Sequence, residues 1–168
     1  MRIEDSMKTL VVSIDLAGTL RQAAALMVRR HVGTLPVVDA EGRLVGLLTL
    51  AEVLHLFMPD SMALFDDVDF LRDFGVLEDP VPSGRSRAAL ATGVEAVMRP
   101  PAPIVAGTGL LRAAAAFEQH NLLDLPVVDA DGQLIGIASR VDIGTAFLEA
   151  WLAAVPDEEA MGGGDEEA

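Results

Sequence analysis

The residues best suited to do chemistry are Ser139, Arg140 and Asp142, in the run Ser139-Arg-Val-Asp142 at the start of a stretch with helical patterning. A carboxylate can accept both hydroxyls of a cis-diol, and the first turn of a helix offers unpaired N–H groups and a positive dipole end to a phosphate. A short acid beside a permanent cation suits a ligand that carries both groups. Ninety residues earlier stands Thr49-Leu-Ala-Glu52, the same frame with a longer acid and with Leu50 where Arg140 falls. Ser or Thr followed three residues later by an acid is also a capping box, in which both side chains satisfy backbone N–H groups. Glu52 is expected to cap, while Asp142 is one methylene shorter and expected to be less apt for it. The second segment is therefore the expected ligand site, and Thr49 with Glu52 a weaker one.

Other chemistries find little support. The chain has no cysteine, which removes disulfides, thiolate metal sites and cysteine nucleophiles. His31, His55 and His120 are scattered, with no acid or serine partner that would build a triad or a zinc set. Asp66-Asp-Val-Asp69 reads as a solvated acidic face, so no metal is expected. Gly107-Thr-Gly109 lacks the third glycine of a dinucleotide fingerprint and reads as a helix-entry turn. No catalytic residue is assigned, no cofactor is expected, and the chain is not expected to be an enzyme. A formal charge of −14 makes nucleic acid a poor partner, because phosphate affinity needs clustered Lys and Arg. The first ten residues lack a signal-peptide pattern, and the most apolar window, Leu44 to Met58, is interrupted by Glu52 and His55. A cytoplasmic protein without a membrane span is expected.

The elements that hold these residues are doubled. Leu35-Pro-Val-Val-Asp-Ala-Glu-Gly-Arg-Leu-Val-Gly46 aligns without gaps on Leu125 to Gly136, with nine of twelve positions identical at an offset of 90. The offset continues upstream, placing Leu20, Ala23, Ala24 and Met27 on Leu110, Ala113, Ala114 and Phe117, at the spacing of one buried helix face. Each unit opens with a short apolar strand, Val11 to Ile14 or Ile104 and Val105, and Thr19 and Thr108 are the expected helix N-caps. A hairpin follows, turning at Asp39-Ala-Glu-Gly-Arg43 or Asp129-Ala-Asp-Gly-Gln133. A second helix closes each unit, Leu50 to Met58 or Arg140 to Ala153. The expected fold is α/β: two β-α-β-β-α units whose sheets cover each other with pseudo-twofold symmetry. The units span residues 1–58 and 93–155. Between them, 59–92 carries an acidic amphipathic helix from Met62 to Gly75 and then a loop from Pro80 to Arg87 holding Arg85. The acidic, glycine-rich tail 156–168 is expected to stay disordered.

The doubled Leu-Pro-Val-Val-Asp-x-x-Gly run, followed by Thr/Ser-x-x-acid on a helix, resembles the CBS-domain family over residues 4 to 58 and 94 to 152. The resemblance implies a non-catalytic regulatory module that binds an adenosine-type ligand such as AMP, ATP or S-adenosylmethionine. It implies that Ser139 and Asp142 hold the ribose, and that Leu123, Asp124, Pro103 and Ile104 frame the adenine. It also implies a homodimer, because paired units leave apolar helix surface exposed. The alternative is a ligand-free module that dimerises and recruits a partner protein through the acidic helix.

Overall fold

Residues 1–56 and 84–155 are described by the structure, a computed structural model. In the first repeat, Leu20, Ala23 and Met27 recur on one face of helix α1 (Leu20–Arg30) and are buried. Thr19 caps α1 as expected: its hydroxyl accepts from the Gln22 N–H, while its own N–H donates to the Gln22 side chain at 2.8 Å. The strands β1 (Ile14–Asp15), β2 (Thr34–Val38) and β3 (Leu44–Thr49) form a sheet in that order, and α2 (Leu50–His55) follows. The second repeat repeats the plan with β4 (Ile104–Val105), α4 (Leu110–His120), β5 (Asp124–Val128), β6 (Leu134–Ser139) and α5 (Arg140–Ala154). β1 runs parallel to β2, and β2 antiparallel to β3, with matching registers and a matching irregularity in each sheet.

The two units are joined where their hairpins turn. Gly42 and Gly132 sit at φ +82° and +81°, a conformation that glycine adopts without the Cβ clash. The Leu44 N–H donates to the Gly132 carbonyl at 3.0 Å, and the Leu134 N–H donates to the Gly42 carbonyl at 3.2 Å. Arg43 and Gln133 face each other across this seam. The expected β-α-β-β-α repeats and their pairing are what the chain forms.

The lead-in segments are exchanged between the units. Ile3, fully buried, packs into the core of the second repeat with Phe117, Leu125 and Ile143. Its N–H donates to the Thr108 carbonyl, and Lys8 exchanges backbone hydrogen bonds with Ile137 at 2.8 and 2.9 Å. Val94, equally buried, packs into the first repeat with Leu20, Leu35 and Leu48, and Arg99 exchanges backbone bonds with Leu47. Met7 and Met98 lie so close over Gly136 and Gly46 that an added Cβ at either glycine would collide with the methionine sulfur.

Three local expectations are corrected. β1 is only Ile14–Asp15, not Val11 to Ile14; one step upstream its partner strand offers Pro36, which has no N–H. Thr108 is not a cap: Gly109 holds that position, and the Thr108 hydroxyl donates to the Val105 carbonyl at 2.6 Å. The end of the expected loop is helical, α3 (Gly84–Ala91), which packs on α1. The acidic helix from Met62 to Gly75, the rest of that loop, Met58 and the tail 156–168 lie outside the described residues. Among the described residues, no helix is long and apolar enough to cross a membrane.

Candidate functional site

Ser139 and Asp142 form a complete capping box at the start of α5. The Asp142 carboxylate accepts from the Ser139 N–H at 2.8 Å and from its hydroxyl at 2.6 Å, and the Asp142 N–H donates back to Ser139 at 3.1 Å. At α2 the Glu52 carboxylate accepts from the Thr49 N–H at 2.8 Å and from the Thr49 hydroxyl. The expected contrast in capping is therefore corrected: Asp142, though one methylene shorter than Glu52, is long enough to close the box.

Arg140 is corrected as well. Its guanidinium pairs with the Glu118 carboxylate, donates to the Leu122 carbonyl at 3.2 Å and lies over the Phe117 ring, 5.4 Å from the centroid. It ties α5 to α4 and does not stand free at the helix start. The cations at both helix starts come from the exchanged lead-in segments. Lys8 Nζ lies 3.1 Å from Asp142, and Arg99 lies 3.9 Å from Glu52. Reading the first repeat as lacking a cation missed Arg99. A signal existed: Ile3-Glu-Asp-Ser-Met-Lys8 aligns on Val94-Glu-Ala-Val-Met-Arg99 at an offset of 91.

Burial alone would raise the Asp142 pKa, but the hydrogen bonds from Ser139 and the Lys8 ammonium outweigh it and hold the carboxyl below the ordinary value. A depressed carboxyl pKa contributes stability above the unfolded value and loses it as pH falls through the folded one. Asp142→Ala is thus expected to cost about 1 kcal/mol near neutral pH, the usual worth of such a cap. The difference from wild type should shrink below about pH 4, where the unfolded carboxyl protonates. Urea denaturation of both proteins at several pH values checks this; a difference that grows on acidification would contradict it.

The expected second-repeat residues are only partly gathered. Asp124 on β5 is the register partner of Ser139 on β6, and the Arg140 N–H donates to the Leu123 carbonyl at 3.0 Å. The first repeat matches this with Thr34 opposite Thr49, and Leu50 N–H donating to Gly33 at 2.8 Å. Between these two sheet ends lies a cavity of about 380 Å³, lined among others by Thr34, Thr49 and Ala51, by Arg99, and by Leu123 and Asp124. It takes Leu123 and Asp124 from the expected site and Thr49 from the weaker one. Ser139, Arg140, Asp142, Pro103 and Ile104 do not line it; Ile104 pairs with Val127 and packs against the second core. Arg99 also donates to the His120 carbonyl at 3.3 Å, so this one side chain bridges the two repeats across the cleft.

The CBS domain family model matches residues 3–59 and 94–149. The chain belongs to the CBS domain family. It is 33% identical over 138 residues to the chloroplastic CBS domain-containing protein CBSX2 of Arabidopsis thaliana, covering 76% of this chain and 54% of that protein. It is 30% identical over 144 residues to CBSX1 of the same plant, covering 78% and 56%. The chain thus spans about half the length of the curated relatives it matches. Among solved structures it resembles CBSX2 in complex with AMP, with a TM-score of 0.66, 26% identity, and 89% and 98% of the two chains covered.

Proposed function

We propose that this chain is a non-catalytic regulatory module that binds an adenosine-type ligand in the cleft between its repeats. The observation that carries this reading is the cavity of about 380 Å³, built from Thr49 on one repeat and Leu123 and Asp124 on the other. Its volume falls in the range of roughly 300 to 1,000 Å³ that small-molecule sites occupy. Its groups divide the work. The Asp124 carboxylate can accept a ribose diol, the Arg99 guanidinium can face a phosphate, and exposed Leu123 can cover a base. The AMP complex of CBSX2 supports the ligand class. Because the site draws on both repeats, occupancy changes how firmly they hold together, which is how binding becomes a signal. A thermal-shift series with AMP, ATP, S-adenosylmethionine and NAD tests the reading. At least one should raise the melting temperature in a saturable way, and no response to any would favour the ligand-free alternative.

That alternative draws on a specific observation. Leu148, Trp151 and Leu152 on α5 are large apolar side chains more than half exposed. We read them as the face on which a second copy of the chain packs, since closed twofold association is the commonest way to cover such surface. Light scattering is expected to give a dimer mass, and Trp151→Glu a monomer. A monomeric wild type would contradict this.

A further inference from the structure

Helix α1 carries Arg21, Arg29 and Arg30 and no acidic residue, in a chain whose net charge is −14. All three are exposed, and among the described residues none of them makes a salt bridge. The repeat does not require them: the matching positions on α4 are Leu111, Gln119 and His120. The two C-terminal arginines favour the helix dipole, but Arg21 sits in the first turn, where a cation opposes it.

These arginines border a groove between α1 and the β1 edge. One part, about 400 Å³, is lined by Asp15, Arg21, Gln22 and Arg29 among others. The other, about 540 Å³, is lined by Leu10, Val11, Val12 and Arg30 among others. Ser13 and Leu26 belong to both parts, so the groove is continuous. Asp15, one of whose carboxylate oxygens accepts from the Ala17 N–H at 2.8 Å, offsets only one of the three arginine charges that border the groove. Leu10 is 95% exposed on its rim.

We infer that this groove docks an acidic peptide segment of a partner protein that carries apolar side chains between its carboxylates. Arg21 and Arg29 are about 12 Å apart along the helix at 1.5 Å per residue, too far for one phosphate to span. An extended peptide covers that distance in roughly four residues, with alternate side chains on one face. Carboxylates on that face reach the arginines of α1, and the residues between them, on the opposite face, meet Leu10 and Val11 on the other wall. The rest of the chain, though strongly negative, is screened beyond about 8 Å at physiological salt, so the local cations set the field here.

Fluorescence anisotropy with a labelled peptide of alternating Glu and Leu, titrated with the full chain, tests the docking. Binding that weakens as salt rises is expected. The Arg21→Glu/Arg29→Glu/Arg30→Glu variant should bind roughly tenfold more weakly or worse, since several exposed charge pairs are lost together. The Arg→Gln triple variant should show a smaller loss at an unchanged melting temperature, and Arg112→Glu on α4 should bind as wild type does. Absence of binding, or binding untouched by the triple reversal, would overturn the proposal. So would tighter binding of a labelled single-stranded oligonucleotide through the same arginines, which would make the groove a nucleic-acid surface.

Discussion

Ile3→Ala is expected to lower stability by about 2–5 kcal/mol, the usual cost of emptying a fully buried isoleucine site. Total stabilities of small domains run at roughly 5–15 kcal/mol, so this single change removes a large part of the whole. Its location is the more telling part. Ile3 stands at the start of the first repeat in sequence, yet it packs on Phe117, Leu125 and Ile143 of the second. Hydrogen exchange should therefore quicken first at Val127 and Ile137 in the second sheet, while Val37 and Leu48 in the first sheet keep their protection. Val94→Ala should do the reverse, because Val94 completes the first core. Loosening of the first sheet by Ile3→Ala would mean that the lead-in segments are not exchanged.

The second large effect is expected from Ala51→Trp. Ala51 lines the cleft near the start of α2, and its side chain is exposed, so the apo fold should change by no more than about 0.5 kcal/mol. The indole would occupy much of the cavity of about 380 Å³. With AMP at a hundred times its dissociation constant, the wild type should gain about 2.7 kcal/mol by mass action, and the variant should gain almost nothing. Asp142→Ala and Glu52→Ala should both lose roughly 1 kcal/mol of cap and keep most of that gain. Denaturant melts with and without AMP separate the cases. An undiminished gain in Ala51→Trp would place the ligand elsewhere.

The hairpins, the helix faces and the doubled plan were legible because each rests on local signals. Leu-Pro-Val-Val-Asp and its turn glycine repeat almost unchanged, and the buried stripe Leu20, Ala23, Met27 reads directly from its spacing. The site was less legible because its decisive contacts are not local. Arg140 turns away to Glu118 and Leu122, some twenty residues back in the chain, and nothing in the Ser139-to-Asp142 run announces that. Arg99 reaches the Thr49 end of the cleft only because the lead-in segments cross between repeats. The alignment of residues 3–8 on 94–99 carried that information, but its offset of 91 departs by one residue from that of the main repeat. A one-residue slip likewise misplaced the cap on Thr108 in place of Gly109. The capping box itself was seen correctly; what spacing could not show is that both repeats close it.

The central claim is that an adenosine-type ligand sits between the repeats and touches both. Backbone amide spectra of the labelled full chain, recorded through a titration with AMP, test it most directly, since they report binding and place it in one measurement. Saturable shifts are expected at Gly33 and Thr34 on one repeat and at Asn121, Leu123 and Asp124 on the other, rising with a single dissociation constant. Shifts confined to one repeat or to the α1 groove, or no shift with AMP or with ATP, S-adenosylmethionine or NAD in its place, would contradict the account.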